Sequence, residues 1–184
     1  NLIYDTFAKF EEGIVQQKMR SMEIEDGEED EAGDDILTSE EELEMRLARL
    51  EFLMDRRPLL LSSVKLRQNP HNVFEWHKRV KLFKEDPEKV VLTFSEALQT
   101  VDPIVAIGKP HTLWCAFARF YEFTFEDVET ARTIFEKAIV APFKQVEELT
   151  DVWTEYAEME MRNGNLHRAK ELLQRATTVP AQTG

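Results

Sequence analysis

Histidine, cysteine, a lysine beside glycine and paired carboxylates are the side chains of this chain that could hold a metal, attack a substrate, cradle a phosphate or move a proton. The four histidines, His71, His77, His111 and His167, lack the i, i+4 spacing that would put two ring nitrogens on one helical face. Cys115 follows Trp114 in an aromatic stretch, and no histidine motif is placed to activate it. It reads as a small packing residue. Gly108-Lys109-Pro110 lacks the preceding glycine and following Ser/Thr of a phosphate loop, and Pro110 stops the helix register. Glu158 and Glu160 lie two apart on a helix and point different ways. These residues make no acid–base, metal or cofactor constellation. The expectation is therefore a protein that is not an enzyme and takes no cofactor or small-molecule substrate.

The elements behind these residues repeat. Trp114-x-x-Phe117-Ala118-x-x-Tyr121, Trp153-x-x-Tyr156-Ala157-x-x-Glu160 and a degenerate Trp76-x-x-Arg79-Val80-x-x-Phe83 share a pattern, with tryptophans 38 and then 39 residues apart. A fourth copy begins at Tyr4-x-x-Phe7-Ala8-x-x-Glu11. After each tryptophan segment comes a second pattern: Phe94-Ser-Glu-Ala97, Phe135-Glu-Lys-Ala138 and Leu173-Gln-Arg-Ala176. Positions i, i+3, i+4 and i+7 share one helical face. A ring beside an alanine lets a partner helix approach closely while the ring fills the gap. One helix pair cannot bury both of its stripes, so pairs must stack. The predicted fold is all-α: a right-handed α-solenoid of antiparallel helix pairs, with units at about 1–58, 72–103, 110–142 and 148–180. Asn72-x-x-Glu75 and Asp86-Pro87 predict helix starts, Asn163-Gly164 predicts a stop, and Pro70, Pro103, Pro110 and Pro142 fall between helices. The expected repeat core is Tyr4, Phe7, Ala8, Trp76, Phe94, Ala97, Trp114, Phe117, Ala118, Phe135, Ala138, Trp153, Tyr156, Ala157, Leu173 and Ala176.

Composition agrees with this reading. The 184 residues include only six glycines and seven prolines, which favours helix. A lone cysteine excludes an internal disulfide and suits a reducing compartment. No apolar run approaches the roughly 20 residues that would span a bilayer, so no membrane association is expected. The chain starts at Asn1 and its repeats run to both ends, which reads as a piece of a longer protein. The net charge of −13 is local: residues 21–42 hold twelve of the 36 acids and no Lys or Arg.

The alternating Trp and Ala helices resemble the HAT (half-a-tetratricopeptide) repeat of RNA-processing scaffolds. A closer likeness runs through Arg56-Arg57-Pro58-Leu59-Leu60-Leu61, Leu66-Arg67-Gln68-Asn69-Pro70-His71 and Glu75-Trp76-His77-Lys78-Arg79-Val80. It continues in Gln99-Thr100-Val101-Asp102-Pro103 and Gly108-Lys109-Pro110-His111-Thr112-Leu113-Trp114. These strings resemble the Syf-one (XPA-binding protein two) family of splicing factors. That resemblance implies a nuclear scaffold of the spliceosome's NineTeen-associated complex, linked also to transcription-coupled DNA repair. It implies other spliceosomal proteins as partners, among them a crooked-neck-type HAT scaffold and the Aquarius helicase.

Two segments depart from the repeat. The acidic insert, 20–38, lies between a helix of about Leu2–Met19 and one of about Ser39–Asp55 that carries Leu43, Leu47, Leu50 and Met54 on one face. With almost no large apolar residue the insert reads as a disordered, solvated loop, or as a docking tail for a basic partner. Ser39 with Glu42 reads first as a helix cap, because the apolar stripe begins at Leu43, and second as a phosphorylation site in acidic context. The second segment is basic: Arg56, Arg57, Lys65, Arg67, Lys78, Arg79, Lys81 and Lys84 stand against Glu75 alone. It reads either as arginines bracing a long 55–71 connection or as a contact surface for RNA backbone or an acidic partner.

Overall fold

The computed structural model describes residues 2–25 and 33–178. All regular structure among these residues is helical, in eight elements: α1 (Leu2–Glu25), α2 (Gly33–Gln68), α3 (Val73–Leu82), α4 (Pro87–Thr100), α5 (His111–Thr124), α6 (Val128–Ala138), α7 (Val146–Arg162) and α8 (Leu166–Thr178). The chain divides into two compact units, Asn1–Leu61 and Ser62–Gly184.

In the second unit each start and stop has a local cause. Asn72 accepts a hydrogen bond from the Glu75 N–H at 3.3 Å and opens α3, while Glu75 pairs with Lys65 at 3.4 Å instead of closing the box. Asp86 accepts from the Lys89 N–H and precedes Pro87 in the first helical position. Asp127 caps α6 through the Thr130 N–H, a start the repeat pattern had not marked. Gly164, at φ +77°, ends α7 as the left-handed residue just past a helix. Between α4 and α5 the chain is pinned rather than loose. Val73 N–H donates to the Ile107 carbonyl at 3.0 Å, and Ile107 N–H to the His71 carbonyl at 2.9 Å.

The core of this unit is built from the facing stripes of its helices. Trp76, Phe94, Ala97, Phe117, Ala118, Phe135, Ala138, Trp153, Tyr156 and Ala157 are all buried, joined by Leu66, Val73, Val90, Leu113, Val152, Met159 and Leu172. Trp114 departs from the expectation: it is half-buried and packs against the core from its edge.

In the first unit, ion pairs link Asp5 to Arg57, Glu11 to Arg46 and Lys18 to Glu42. Numbers rise along α1 as they fall along α2, so the two helices are antiparallel. Here the sequence-based bounds need correction. α1 continues to Glu25 and α2 begins at Gly33, so helix enters the acidic insert from both sides. Of the insert expected to be disordered, residues 26–32 lie outside the described residues. Ser39 lies within α2 rather than at its start, so it does not cap that helix. No 55–71 connection exists. α2 runs on to Gln68 with Pro58 inside it, although proline removes an internal hydrogen bond. Phe7 is 38% exposed and so is not core, Ala8 is half-buried, and the Tyr4 side chain lies outside the described residues.

Candidate functional site

The functional geometry of a repeat protein lies in its junctions and in the surface they leave. In the second unit α3, α5 and α7 carry the tryptophans, and α4, α6 and α8 carry the alanine pattern. Contacts between α5 and α7 keep a nearly constant offset: Arg119 with Glu155, Glu122 with Arg162 and His111 with Asp151 are 36 to 40 residues apart. The two helices therefore run parallel, one repeat apart. Contacts between α7 and α8 run the other way, Glu160 with Arg168 and Trp153 with Arg175, so members of a pair are antiparallel.

At each internal junction the ring of the alanine helix meets the ring three residues after the next tryptophan. Phe94 stacks on Phe117 at 5.1 Å, and Phe135 stacks on Tyr156 at 5.0 Å with planes 8° apart. Ala97 and Ala138 have no exposed surface, which is the close approach an alanine allows. Stacked rings add about 0.5–1.5 kcal/mol beyond their burial.

The buried polar groups serve the same seams. Glu160 is fully buried and receives Arg132 through two bonds of 2.7 Å, with Arg168 at 3.2 Å and Asn165 at 3.1 Å. Burial pushes the Glu160 carboxyl up, but the Arg132 bonds and the two guanidinium charges outweigh it and leave its pKa lowered. The same bonds raise the pKa of Arg132. Glu122 accepts from Arg162 at 2.8 Å and from Asn163 at 2.9 Å. His111, buried at the start of α5, faces Glu148 at 3.6 Å and Asp151 at 3.2 Å on α7. These carboxylates clamp helices together. Glu122 and Glu160 are committed to arginines, and Glu148 and Asp151 face the His111 ring. Glu11 and Glu160 stood in the repeat pattern, but Arg46 and Arg132, which pair with them, lie 35 and 28 residues away, beyond the reach of pattern reading.

The remaining predicted residues fall as follows. Burial pushes the Cys115 thiol up to about 12, with the Glu155 charge adding to the shift. Leu173 is 47% exposed and Ala176 half-buried, so the last alanine stripe is not covered as its predecessors are. The basic residues do not act as one set. Arg57 pairs with Asp5 and Lys65 with Glu75, while Arg79 donates to Ser63 Oγ at 2.9 Å and lies over Phe83. Arg56 lies over Phe52, and Lys84 pairs with its neighbour Glu85. Arg67, Lys78 and Lys81 are exposed. Arg79 and Val80 replace the aromatic–alanine pair of the other units, and the Ser63 bond answers the polar substitution.

Two features of the surface had no sequence signal. Ile139, Val140, Phe143, Leu149, Trp153 and Leu173 line a cavity of about 510 Å³ between the α6–α7 connection, α7 and α8. Phe74, Ile104, Val105 and Ile107 are exposed around the pinned α4–α5 connection. Among the described residues no group of histidine, cysteine and carboxylate side chains could hold a metal ion, and no helix is long and apolar enough to cross a membrane.

This geometry is that of a helical repeat, and family comparison names it. Residues 1–101 match the "Pre-mRNA-splicing factor SYF1 middle HAT repeat", and residues 103–184 match the "Pre-mRNA-splicing factor Syf1/CRNKL1 C-terminal HAT repeat". The chain belongs to the SYF1 family of HAT-repeat proteins. It is 50% identical to pre-mRNA-splicing factor SYF1 of Rattus norvegicus over 180 residues, covering 98% of this chain and 20% of the relative. The syf1 homolog of Drosophila melanogaster is 47% identical, covering 97% of this chain and 19% of the relative. Pre-mRNA-splicing factor cwf3 of Schizosaccharomyces pombe is 39% identical, covering 99% and 22%. The chain thus spans about a fifth of the length of these SYF1 relatives. The SYF1 repeat matches cover both compact units, including α1 and α2, where the fourth copy of the pattern begins at Tyr4.

Proposed function

We propose that this chain is a protein-binding scaffold segment acting in pre-mRNA splicing, in the nucleus, with no catalysis of its own. The observation that carries this reading is the match of both halves of the chain to repeats of proteins named pre-mRNA-splicing factor SYF1. The junction chemistry supports it: the buried polar side chains hold helices together, and what reaches the surface is apolar grooves and charged helix faces suited to protein contacts. Units at about 72–103, 110–142 and 148–180 remain the repeat division we adopt, while the unit expected at 1–58 is extended by α2 to Gln68. Placement in the NineTeen-associated complex, beside a crooked-neck-type scaffold and the Aquarius helicase, rests on the family resemblance, as does a second role in transcription-coupled DNA repair.

A chimera tests the reading. This chain replaces the matching segment of the fission-yeast cwf3 protein, and intron removal is measured from reporter transcripts. Scaffold function in splicing predicts that introns are still removed. A chimera that accumulates, folds and leaves introns in place refutes it.

The alternative reading is RNA binding through the 56–84 basic segment. Arg67, Lys78 and Lys81 are the exposed cations that favour it. It predicts binding that falls steeply with salt and is weakened by charge reversal at Lys78 and Lys81. Absent or salt-insensitive binding ends it.

A further inference from the structure

Helix α3 has a neighbour on each side: Arg79 donates to Ser63 of α2, and His77 bonds to Thr112 of α5 at 2.8 Å. Its outer stripe is therefore not a seam waiting for another repeat. That stripe opens with Phe74, 61% exposed, and continues one and two turns on with exposed Lys78 and Lys81. The Phe74 ring rests on Gly108, where an added Cβ would lie 2.9 Å from it. Backbone bonds from Val73 to Ile107 and from Ile107 to His71 fix the α4–α5 connection against the start of α3. Ile107 is 50% exposed, and Ile104 and Val105 of the same connection are 59% and 54%. An apolar surface held in place by backbone bonds yet left in water marks an interaction site.

Charge says what would sit on it. In the α5–α7 seam Arg119, five residues after Trp114, meets Glu155, two after Trp153. One repeat earlier those positions are Lys81 and Ala116, so Lys81 finds no acid across its seam. Glu148 and Asp151, five and two residues before Trp153, correspond to Lys109 and Thr112 before Trp114. The carboxylates of α7 thus have a cation and neutral residues as their counterparts in α5. Lys65 pairs with Glu75 and Lys84 with Glu85, but among the described residues Lys78, Lys81 and exposed Lys109 pair with no carboxylate. Asp102, the acid of the α4–α5 connection, accepts from the Ile104 N–H at 2.9 Å. Unpaired cations beside a phenyl ring and branched aliphatic side chains call for a ligand that is both acidic and apolar. RNA backbone would satisfy the lysines, but Ile104, Val105 and Ile107 offer its bases no ring to stack on.

We propose that this surface binds an acidic peptide segment of a partner protein, whose large apolar side chains cover Phe74 and Ile107 while its carboxylates meet Lys78, Lys81 and Lys109. The class of partner rests on the scaffold reading, but binding is measured on the purified chain and can succeed or fail whatever the chimera does in splicing.

Fluorescence anisotropy with the full chain tests this, using two labelled probes of similar length. One is a synthetic peptide of glutamates with leucine or phenylalanine at every third or fourth position; the other is oligouridine. The peptide should bind, and oligouridine should bind at least about tenfold more weakly. Phe74→Ser should weaken the peptide about tenfold, the worth of one large apolar side chain covered. Lys78→Glu with Lys81→Glu should weaken it by a similar factor of about ten. That double variant should also bind a peptide carrying lysine in place of each glutamate more tightly than the native chain does. Circular dichroism checks that helix is kept, and Ile104→Ser with Val105→Ser, which changes only exposed side chains, replaces Phe74→Ser if it is not. A peptide that fails to bind at about 1 mM chain overturns the proposal, as does affinity unmoved by the apolar substitutions. Oligouridine that binds more tightly than the peptide overturns it too, and gives the surface to RNA.

Discussion

Replacing Glu160 should show how much of the stack hangs on one charged seam. Glu160→Leu removes a fully buried carboxylate and leaves Arg132, whose side chain is 13% exposed, with the solvent-exposed Glu129 in place of its buried partner. Arg168 is 47% exposed and can return to water; Arg132 cannot. Breaking a buried pair from one side costs about 3–5 kcal/mol, because the remaining charge loses its buried partner, and an exposed bond such as that to Glu129 recovers little of it. Arg132→Met should cost less, about 2 kcal/mol, since Glu160 keeps Arg168 at 3.2 Å and Asn165 at 3.1 Å. The double variant carries an apolar pair of similar volume and should lie within about 1 kcal/mol of the native chain. The protein supplies a precedent, because the equivalent positions in α4 and α5 are Val91 and Tyr121, both packed against the core. Urea denaturation followed by tryptophan fluorescence isolates the right region, as Trp76, Trp114 and Trp153 all belong to the second unit. The double-mutant cycle should give a coupling of about 4–8 kcal/mol, the two single costs taken together less the small change in the double variant. A coupling below about 0.5 kcal/mol, or a double variant no more stable than Glu160→Leu, would refute the account of this seam.

The same carboxylate gives a pH signature. Its folded pKa lies below the ordinary 4.5, so its contribution is complete above that value and is lost as pH falls through the folded pKa. The native chain should therefore lose its stability relative to the Arg132→Met/Glu160→Leu variant as pH drops below about 4.5, read from urea midpoints at each pH. Cys115, buried with its thiol pushed up to about 12, should resist a disulfide reagent at pH 8 in the folded chain and react fully in urea. Trp76, 3% exposed and donating to the Pro70 carbonyl at 2.8 Å, should cost about 3–5 kcal/mol as Trp76→Ala; half-buried Trp114 should cost roughly half as much, on chemical denaturation. Gly108 has φ +101°, and an added Cβ would lie 2.9 Å from Phe74 and 3.2 Å from Val73. Gly108→Ala should lose at least about 1 kcal/mol by the same assay, with protection lost at the Ile107 amide in hydrogen exchange.

The parts of the fold that follow from local periodicity were legible in the residues. Trp153, Tyr156 and Ala157 share a helical face by spacing alone, and any helix carrying them must bury that face. Gly164 and Asp86 mark ends because backbone geometry permits few alternatives there. What escaped reading depends on context that a local pattern does not contain. Pro58 reads as a break because proline costs a hydrogen bond, yet α2 continues through it to Gln68. Ser39 and its acids look like a helix start, but a good start signal does not forbid the helix from starting earlier. Phe7 and Leu173 match the core pattern, but a pattern gives a side chain's direction and says nothing of whether a neighbour is there to cover it. The clamps at Glu122 and Glu160 were passed over because Arg162 and Arg132 arrive from other helices, 40 and 28 residues away in sequence.

Those clamps also bear on why the repeats stack in one order. The α4–α5 seam places Val91 and Tyr121 where the α6–α7 seam places Arg132 and Glu160, on equivalent positions of equivalent helices. Each combination suits its own neighbour and no other. An exchange that set Tyr121 against Arg132 would bury a guanidinium without a carboxylate, and one that set Glu160 against Val91 would bury a carboxylate without a cation. Either error costs several kcal/mol, more than a stacked pair of rings returns. The aromatic–alanine pattern makes the pairs stick and is nearly the same at every junction, so it cannot tell one neighbour from another. The polar residues at the edge of that pattern can, and they do so through the penalty for a wrong partner rather than through the strength of the right one.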